Sequence, residues 1–506
     1  MDIYLRNHNY KYALEQMLLT LFPDERPSYP ETEVCASSSC LISELYMDAG
    51  SKALFSHSIL RINGTLSEGR AEYICSSRPY PESGLLFDRI GQKLVKLSFF
   101  NAAQSFLAKL PPWGSITGVH PVKLAARYME ENSCGKDEAA HYLQSEYTVL
   151  PEKAVLCADA AEVEIRVRHS LSSGGVSLYV GIPFCPTRCS YCSFVSHSIE
   201  KSMNLIEPYL NSLHKEINAA AAILKELGLT VDSVYIGGGT PTTLTAAQLS
   251  ELISKIRSNF DLSLCGEFTV EAGRPDTITP EKLSVIEKSG VTRISINPQS
   301  MNDSVLSVIG RRHTGGDILE SYHLARGIFS GAINMDLIAG LPTDTAEEFI
   351  KSLETLIGLN PENITVHTLT AKRGSGLTSE KKVILDDDRV GQMLSFSNTA
   401  LRKAGFQPYY LYRQKFSSGG HENVGWCRNG YESIYNIVMM EELQSVLSLG
   451  AGGVTKLVDK DTGKISRITN KKYPKEYIES IDDIIKGKKY ILDFLSGTKK
   501  HLLSSQ

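Results

Sequence analysis

The chain has 506 residues, a formal net charge of −4 and 42% hydrophobic residues, enough for two or three domains with a sizeable core. Its 22% of charged residues lies near the globular norm and excludes a disordered or fibrous chain. The slight negative balance offers nucleic acid no basic footprint, residues 1–22 lack the pattern of a secretory signal, and no apolar run reaches membrane-spanning length. The expectation is a cytoplasmic protein with no stable membrane insertion and no nucleic-acid partner.

In chain order, helical spacing of apolar residues predicts a short helix at 12–22 and a longer one at 85–110. A breaker-rich connection at 111–121 follows, then a helix at 122–130. Alternation at 154–169 predicts a strand. A polar, glycine-containing boundary at 172–175 closes an N-terminal α/β accessory domain, 1–170.

From residue 176 the texture becomes strand then helix, repeated. Strands are predicted at 176–182, 231–237, 267–271, 291–297, 332–338 and 364–369. Helices are predicted at 205–227, 246–260, 280–289, 316–330, 346–358 and 386–404. Short, continuously apolar strands with crossover helices imply a parallel sheet covered on both faces. Six units are fewer than the eight of a complete barrel, and an open doubly wound sheet fits as well. Polar residues fall at the strand C-termini: 237–240, Glu271, Asn297, Gln299, Asp336 and His367. Their gathering at one mouth favours a barrel-like form for the second domain, 171–404. Asp336 sits between Met335 and Leu337 inside an apolar strand, as either a ligand contact or a satisfied structural carboxylate. A third domain, 405–506, opens with an aromatic strand-like run at 405–415 and a glycine-rich turn at 417–420. It continues with a helix at 435–447 and a lysine-rich amphipathic helix at 481–500, and is expected to be mainly helical.

Seven of the ten cysteines are scattered and read as buried or incidental thiols, since disulfides are disfavoured in a reducing compartment. Cys185, Cys189 and Cys192 are different: they form C-x3-C-x2-C in the loop after the first barrel strand. A structural zinc site needs four ligands, and no second cysteine pair exists to complete it. Three ligands on a [4Fe-4S] cube leave one iron open. An open iron can chelate the amino and carboxylate groups of S-adenosylmethionine (SAM), placing its sulfonium for one-electron cleavage to a 5′-deoxyadenosyl radical. The glycines at 237–239 let backbone approach a ligand, or simply make a tight turn. Glu271 and Asp336 could receive the amino group and a ribose hydroxyl, and Arg311 or its neighbour Arg312 the carboxylate.

These motifs, with the segments 293–300, 310–313 and 333–342, resemble the radical SAM family of oxygen-independent coproporphyrinogen III dehydrogenases, closest to its HemZ-type branch. The resemblance spans about residues 176–455. It implies an incomplete (β/α)6 barrel, a [4Fe-4S] cluster on Cys185, Cys189 and Cys192, and SAM contacts from Gly238, Gly239, Thr240, Glu271, Gln299, Arg311 and Asp336. It also implies that Tyr191 contacts the adenine through backbone and that Tyr179 lies beside the cluster. The implied reaction is oxidative decarboxylation of two propionates of coproporphyrinogen III, giving protoporphyrinogen IX in heme biosynthesis. The implied partners are this tetrapyrrole and an electron donor such as flavodoxin or ferredoxin, on a monomeric enzyme. Two positions depart from the dehydrogenase pattern: Phe194 stands where it has a fourth cysteine, and Gly181 where it has histidine. The C-x-F form is shared with HemW-like heme chaperones, so a heme carrier and a radical enzyme acting on another tetrapyrrole remain alternatives. The run 408–415 supplies aromatics suited to a tetrapyrrole face or to ordinary packing. Arg413 and Lys415 on it could meet propionates, and the C-terminal region would close over the mouth. Tyr179 and Arg413 are the catalytic candidates.

Overall fold

The computed structural model describes residues 1–32, 38–48, 53–74, 84–193, 197–370, 387–414, 420–459 and 462–503. The chain divides into two compact units, one chiefly Met1–Pro121 with Arg127–Ala158, the other chiefly Asp159–Ser418 with Glu422–Gln506.

In the first unit, strands Asp2–Arg6, Ser39–Asp48, Ala53–Ile62 and Thr65–Ile74 form a sheet in that order. The first pair is parallel and the others antiparallel. Asn63 and Gly64, at φ 50° and 85°, make the two-residue hairpin turn. Helices Lys11–Leu21 and Leu85–Ala103 bury Leu14, Leu18, Leu94 and Phe99 against Leu41, Leu54 and Leu60 of the sheet. Gly69 has no side chain because a Cβ there would stand 2.1 Å from the Ser98 carbonyl oxygen. The expectation of free thiols fails at Cys40, which is disulfide-bonded; the geometry that brings two thiols together is not legible in their spacing.

The predicted strand at 154–169 is instead a helix, Pro151–Ser170. Its alternating tail resolves at helical spacing. Val163 and Val167 enter one apolar cluster together, and Arg168 pairs with Glu164 one turn earlier at 2.7 Å.

The second unit holds an eleven-stranded sheet. At its centre are six parallel strands in chain order: Gly175–Ile182, Thr230–Gly238, Glu267–Gly273, Arg293–Ile296, Ala332–Ala339 and Asn363–Thr368. Beyond the sixth, Glu422–Cys427 and Gln407–Arg413 add antiparallel. Beyond the first, Val446–Leu449 adds parallel, followed antiparallel by Val454–Val458 and Ile465–Thr469. Among the described residues the outermost strands do not pair with each other, so this is an incomplete (β/α)6 barrel with extended edges. The C-terminal region thus contributes strands to the barrel sheet before its helices Pro474–Glu479, Ile481–Gly487 and Lys489–Leu503. The helix expected at 435–447 stops at Glu441, because Glu442 turns left-handed (φ 56°), and the chain re-enters the sheet at Val446.

Most residues of the six central strands are buried, as strands covered on both faces require. The partly exposed exceptions include Tyr179, Tyr235, Glu271, Asn334, Asp336 and His367. Period-two alternation aims such residues at the barrel interior.

The long helix Ile199–Leu227 is locked to the C-terminal segment by Glu216. This fully buried carboxylate accepts hydrogen bonds from Gly450 N (2.7 Å), Asn470 Nδ2 (2.7 Å) and the Tyr477 hydroxyl, and pairs with Lys488 Nζ at 2.8 Å. Among the described residues, no helix is long and apolar enough to cross a membrane.

Candidate active site

The cysteine loop leaves the first barrel strand at Ile182 and is fixed by backbone on two sides. The Gly239 and Thr240 amides donate to the carbonyls of Ile182 (2.8 Å) and Phe184 (2.7 Å). A Cβ on Gly239 would meet those oxygens at 2.8 and 2.5 Å, so only glycine allows this approach. Gly238, at φ 106°, takes a conformation that favours glycine. From the other side, the Ser190 amide donates to the Ile309 carbonyl (3.0 Å) and Thr187 Oγ1 to that of Gly310 (3.2 Å). Arg274 braces the middle, donating to the Thr187 carbonyl (3.2 Å) and hydroxyl (2.7 Å).

This loop borders a cavity of about 400 Å³, within the usual range for a small-molecule site. Cys185, Cys189 and Cys192 all line it as partly exposed thiols outside any disulfide. Thr240 Oγ1 donates to Cys185 Sγ at 3.5 Å. Among the described residues, no three His, Cys, Asp or Glu converge to hold a single ion.

The barrel strands bring the expected SAM contacts to the same cavity. Tyr191, Gly238, Gly239, Thr240, Glu271, Gln299, Arg311 and Asp336 all line it. Arg311 is buried, donating to the Asn297 carbonyl (2.5 Å) and the Tyr191 hydroxyl (3.1 Å). Arg312 is exposed and outside the lining, which separates the two adjacent arginines. Gln299 has a positive φ of 70°, and its amide donates to the Asp336 carbonyl at 2.8 Å. The Asp336 side chain accepts from Asn334 Nδ2 at 2.7 Å and lies 3.8 Å from His367 Nε2. Burial opposes its charge, but His367, Asn334 and Thr365 outweigh that and hold its carboxyl below the usual value. Asp336 is therefore both partnered and cavity-facing.

Glu271 behaves differently. Burial pushes its carboxyl up to about 7, with the negative charge of Asp336 adding to the shift and the Tyr235 hydroxyl opposing it. Tyr235 lines the cavity and stacks on Tyr435 at 4.5 Å and Tyr179 at 6.3 Å.

The two catalytic candidates lie elsewhere. Tyr179 is in this ring stack and outside the cavity lining. Arg413 is also outside it: Tyr410, Tyr412 and Gln414 line the cavity, whereas Arg413 lies between the last two on the opposite strand face. It is buried, paired in register with Glu422, and burial pulls its guanidinium down to about 10 against the attraction of Glu422. Phe194 and Lys415 lie outside the described residues. Sequence reasoning missed Tyr235, Arg274, Asn334, Thr365 and Asn423, which also line the cavity. Tyr235 and Asn334 were accessible through alternation, each two residues from a residue already singled out.

The Radical SAM superfamily model matches residues 179–356. The chain is 40% identical over 414 residues to the oxygen-independent coproporphyrinogen-III oxidase-like protein HemZ of Bacillus subtilis, across 80% of this chain and 82% of that protein. The chain belongs to the radical SAM, HemZ-type family. Its cofactors are accordingly a [4Fe-4S] cluster and SAM, for which the three thiols and the polar strand ends provide fitting donors. The heme chaperone HemW of Bacillus subtilis is 36% identical over 283 residues, covering 54% of this chain and 69% of that protein. Among solved structures, the coproporphyrinogen III oxidase HemN of Escherichia coli shares the fold, with a TM-score of 0.50 and 24% identity. That alignment covers 64% of this chain and 72% of that one.

Proposed function

We propose that this radical SAM protein converts coproporphyrinogen III to protoporphyrinogen IX, oxidatively decarboxylating two propionates. The observation that carries the reading is the composition of the cavity. The cysteine loop and the strand-end polar groups share one space with Tyr410, Tyr412 and Gln414 from the C-terminal strands. Gly425 supports this arrangement, because the Tyr410 ring lies where a Cβ of residue 425 would be, 1.9 Å from Tyr410 Cε1.

When bound, the cluster and SAM supply hydrogen-atom abstraction. The chain's own residues divide the remaining work. Cys185, Cys189 and Cys192 hold the cluster, and Thr240 hydrogen-bonds the first of them. Glu271 and Asp336 receive the SAM amino group and a ribose hydroxyl, Arg311 its carboxylate, while Gln299 and Gly237–Gly239 frame it. Tyr410 and Tyr412 offer apolar faces to the tetrapyrrole and help keep water from the reacting carbon. At each propionate the β-carbon gives up a hydrogen atom, the bond to the carboxylate breaks as carbon dioxide, and one electron leaves to an acceptor as the vinyl group forms. The reading includes a flavodoxin- or ferredoxin-type donor and a cytoplasmic monomer as the working form.

A heme carrier is the second reading, favoured by the 36% identity to HemW. An anaerobic assay of reconstituted protein with SAM, reductant and coproporphyrinogen III decides between them by product mass. Loss of two carbon dioxide units with 5′-deoxyadenosine formation supports the dehydrogenase. Heme binding without any change in coproporphyrinogen refutes it.

A further inference from the structure

A tetrapyrrole with propionate arms needs a cationic contact, and Arg413 does not reach the cavity. Among the described residues lining that cavity, those able to carry positive charge are Arg274, Arg311 and His367. Arg274 is 3% exposed, with Nε and Nη2 both on Asp276 (3.1 Å each) and Nη1 on Thr187. Arg311 is 8% exposed, held by Asn297 and Tyr191, and in the reading above is taken up by the SAM carboxylate. The His367 side chain keeps 28% of its surface open.

His367 is also oriented. Its Nε2 faces Asp336 Oδ2 at 3.8 Å. Asp336 is held by Asn334 Nδ2, and Asn334 Oδ1 accepts from Thr365 Oγ1 at 3.1 Å, on the same strand as His367. These contacts set one ring edge beside Asp336, and the partly open ring lines the cavity. The charged and titratable groups facing the ring are Asp336 on the fifth strand and Glu271 on the third, with Tyr410 and Tyr412 of the edge strand in the same cavity. An imidazolium makes a charge-assisted hydrogen bond to a carboxylate.

We propose that His367, oriented by Asp336, receives a carboxylate arm of the tetrapyrrole and sets the preference of this cavity for carboxylate-bearing macrocycles. The inference deepens the tetrapyrrole reading and rests on it. The test is a fluorescence titration of the cluster-loaded, full-length protein with coproporphyrin III at one fixed pH, comparing wild type, His367→Gln and His367→Arg, with anaerobic kinetics on coproporphyrinogen III in parallel. His367→Gln should bind about tenfold more weakly, with KM raised more than kcat is lowered. His367→Arg, which keeps a cation there, should restore affinity. Should His367→Gln load poorly, His367→Arg alone decides: a loss of affinity of about tenfold in that variant overturns the proposal. Wild-type affinity in a loaded His367→Gln overturns it while leaving the tetrapyrrole reading intact. A wild type that binds no coproporphyrin III overturns the tetrapyrrole reading itself.

Discussion

Glu271 is the residue whose environment most changes its chemistry. Its carboxyl is raised from 4.5 to about 7, chiefly by burial. The folded, ligand-free protein therefore holds a proton that the unfolded chain has released throughout that interval. The stabilising effect of that proton is complete below about pH 4.5 and is lost as pH rises through about 7. We expect the ligand-free protein to lose stability over this window, and Glu271→Gln to lack that component. Urea unfolding of both proteins at several pH values measures the difference, and parallel pH curves would refute the assignment. At the cysteines, alanine at position 185, 189 or 192 should abolish the [4Fe-4S] signal, while Cys265→Ala and Cys427→Ala should retain it. A full cluster in Cys189→Ala by Mössbauer spectroscopy would remove that residue from the ligand set.

At the scale of strands and helices, Gly425 yields a sharper expectation than the aromatics it supports. Alanine there must displace the Tyr410 ring, at a cost of about 1–3 kcal/mol for overpacking. Gly425→Ala should weaken coproporphyrin III binding with iron content unchanged; unaltered binding would show that the ring's position is immaterial. The same parity logic explains what the sequence yielded and what it withheld. The six central strands were legible because their apolar runs alternate with helices and end in polar residues. The run 408–415 was weighed by composition, whereas alternation puts Arg413 opposite the cavity-lining Tyr412 and Gln414. The helix Pro151–Ser170 was hidden because Val163-Glu-Ile-Arg-Val-Arg168 alternates like a strand, and the Glu164–Arg168 pair that supports the helical choice was not weighed. The hairpin around Asn63-Gly64 carried a recognisable turn signal that went unread. Thr365 could be placed in the cavity only once strand register was known.

For the whole second unit, Glu216 is the buried junction between the helix after the cysteine loop and the C-terminal segment. Glu216→Ala would leave Lys488 as an uncompensated buried charge, since its side chain is only 4% exposed. We expect a loss of about 3–5 kcal/mol, read as a lower urea midpoint; a midpoint within error of wild type would show that the junction is dispensable. The sheet order has a further consequence, for the timing of synthesis. The first barrel strand, Gly175–Ile182, lies between Thr230–Gly238 and Val446–Leu449. One neighbour emerges from the ribosome soon after it, the other only after the rest of the central strands. Until then the strand that launches the cysteine loop has an unpaired edge, and the Gly181 carbonyl and Ala451 amide cannot both meet the Tyr209 hydroxyl. Completion of the sheet around the strand that launches the cysteine loop thus waits for a segment made long after the loop itself.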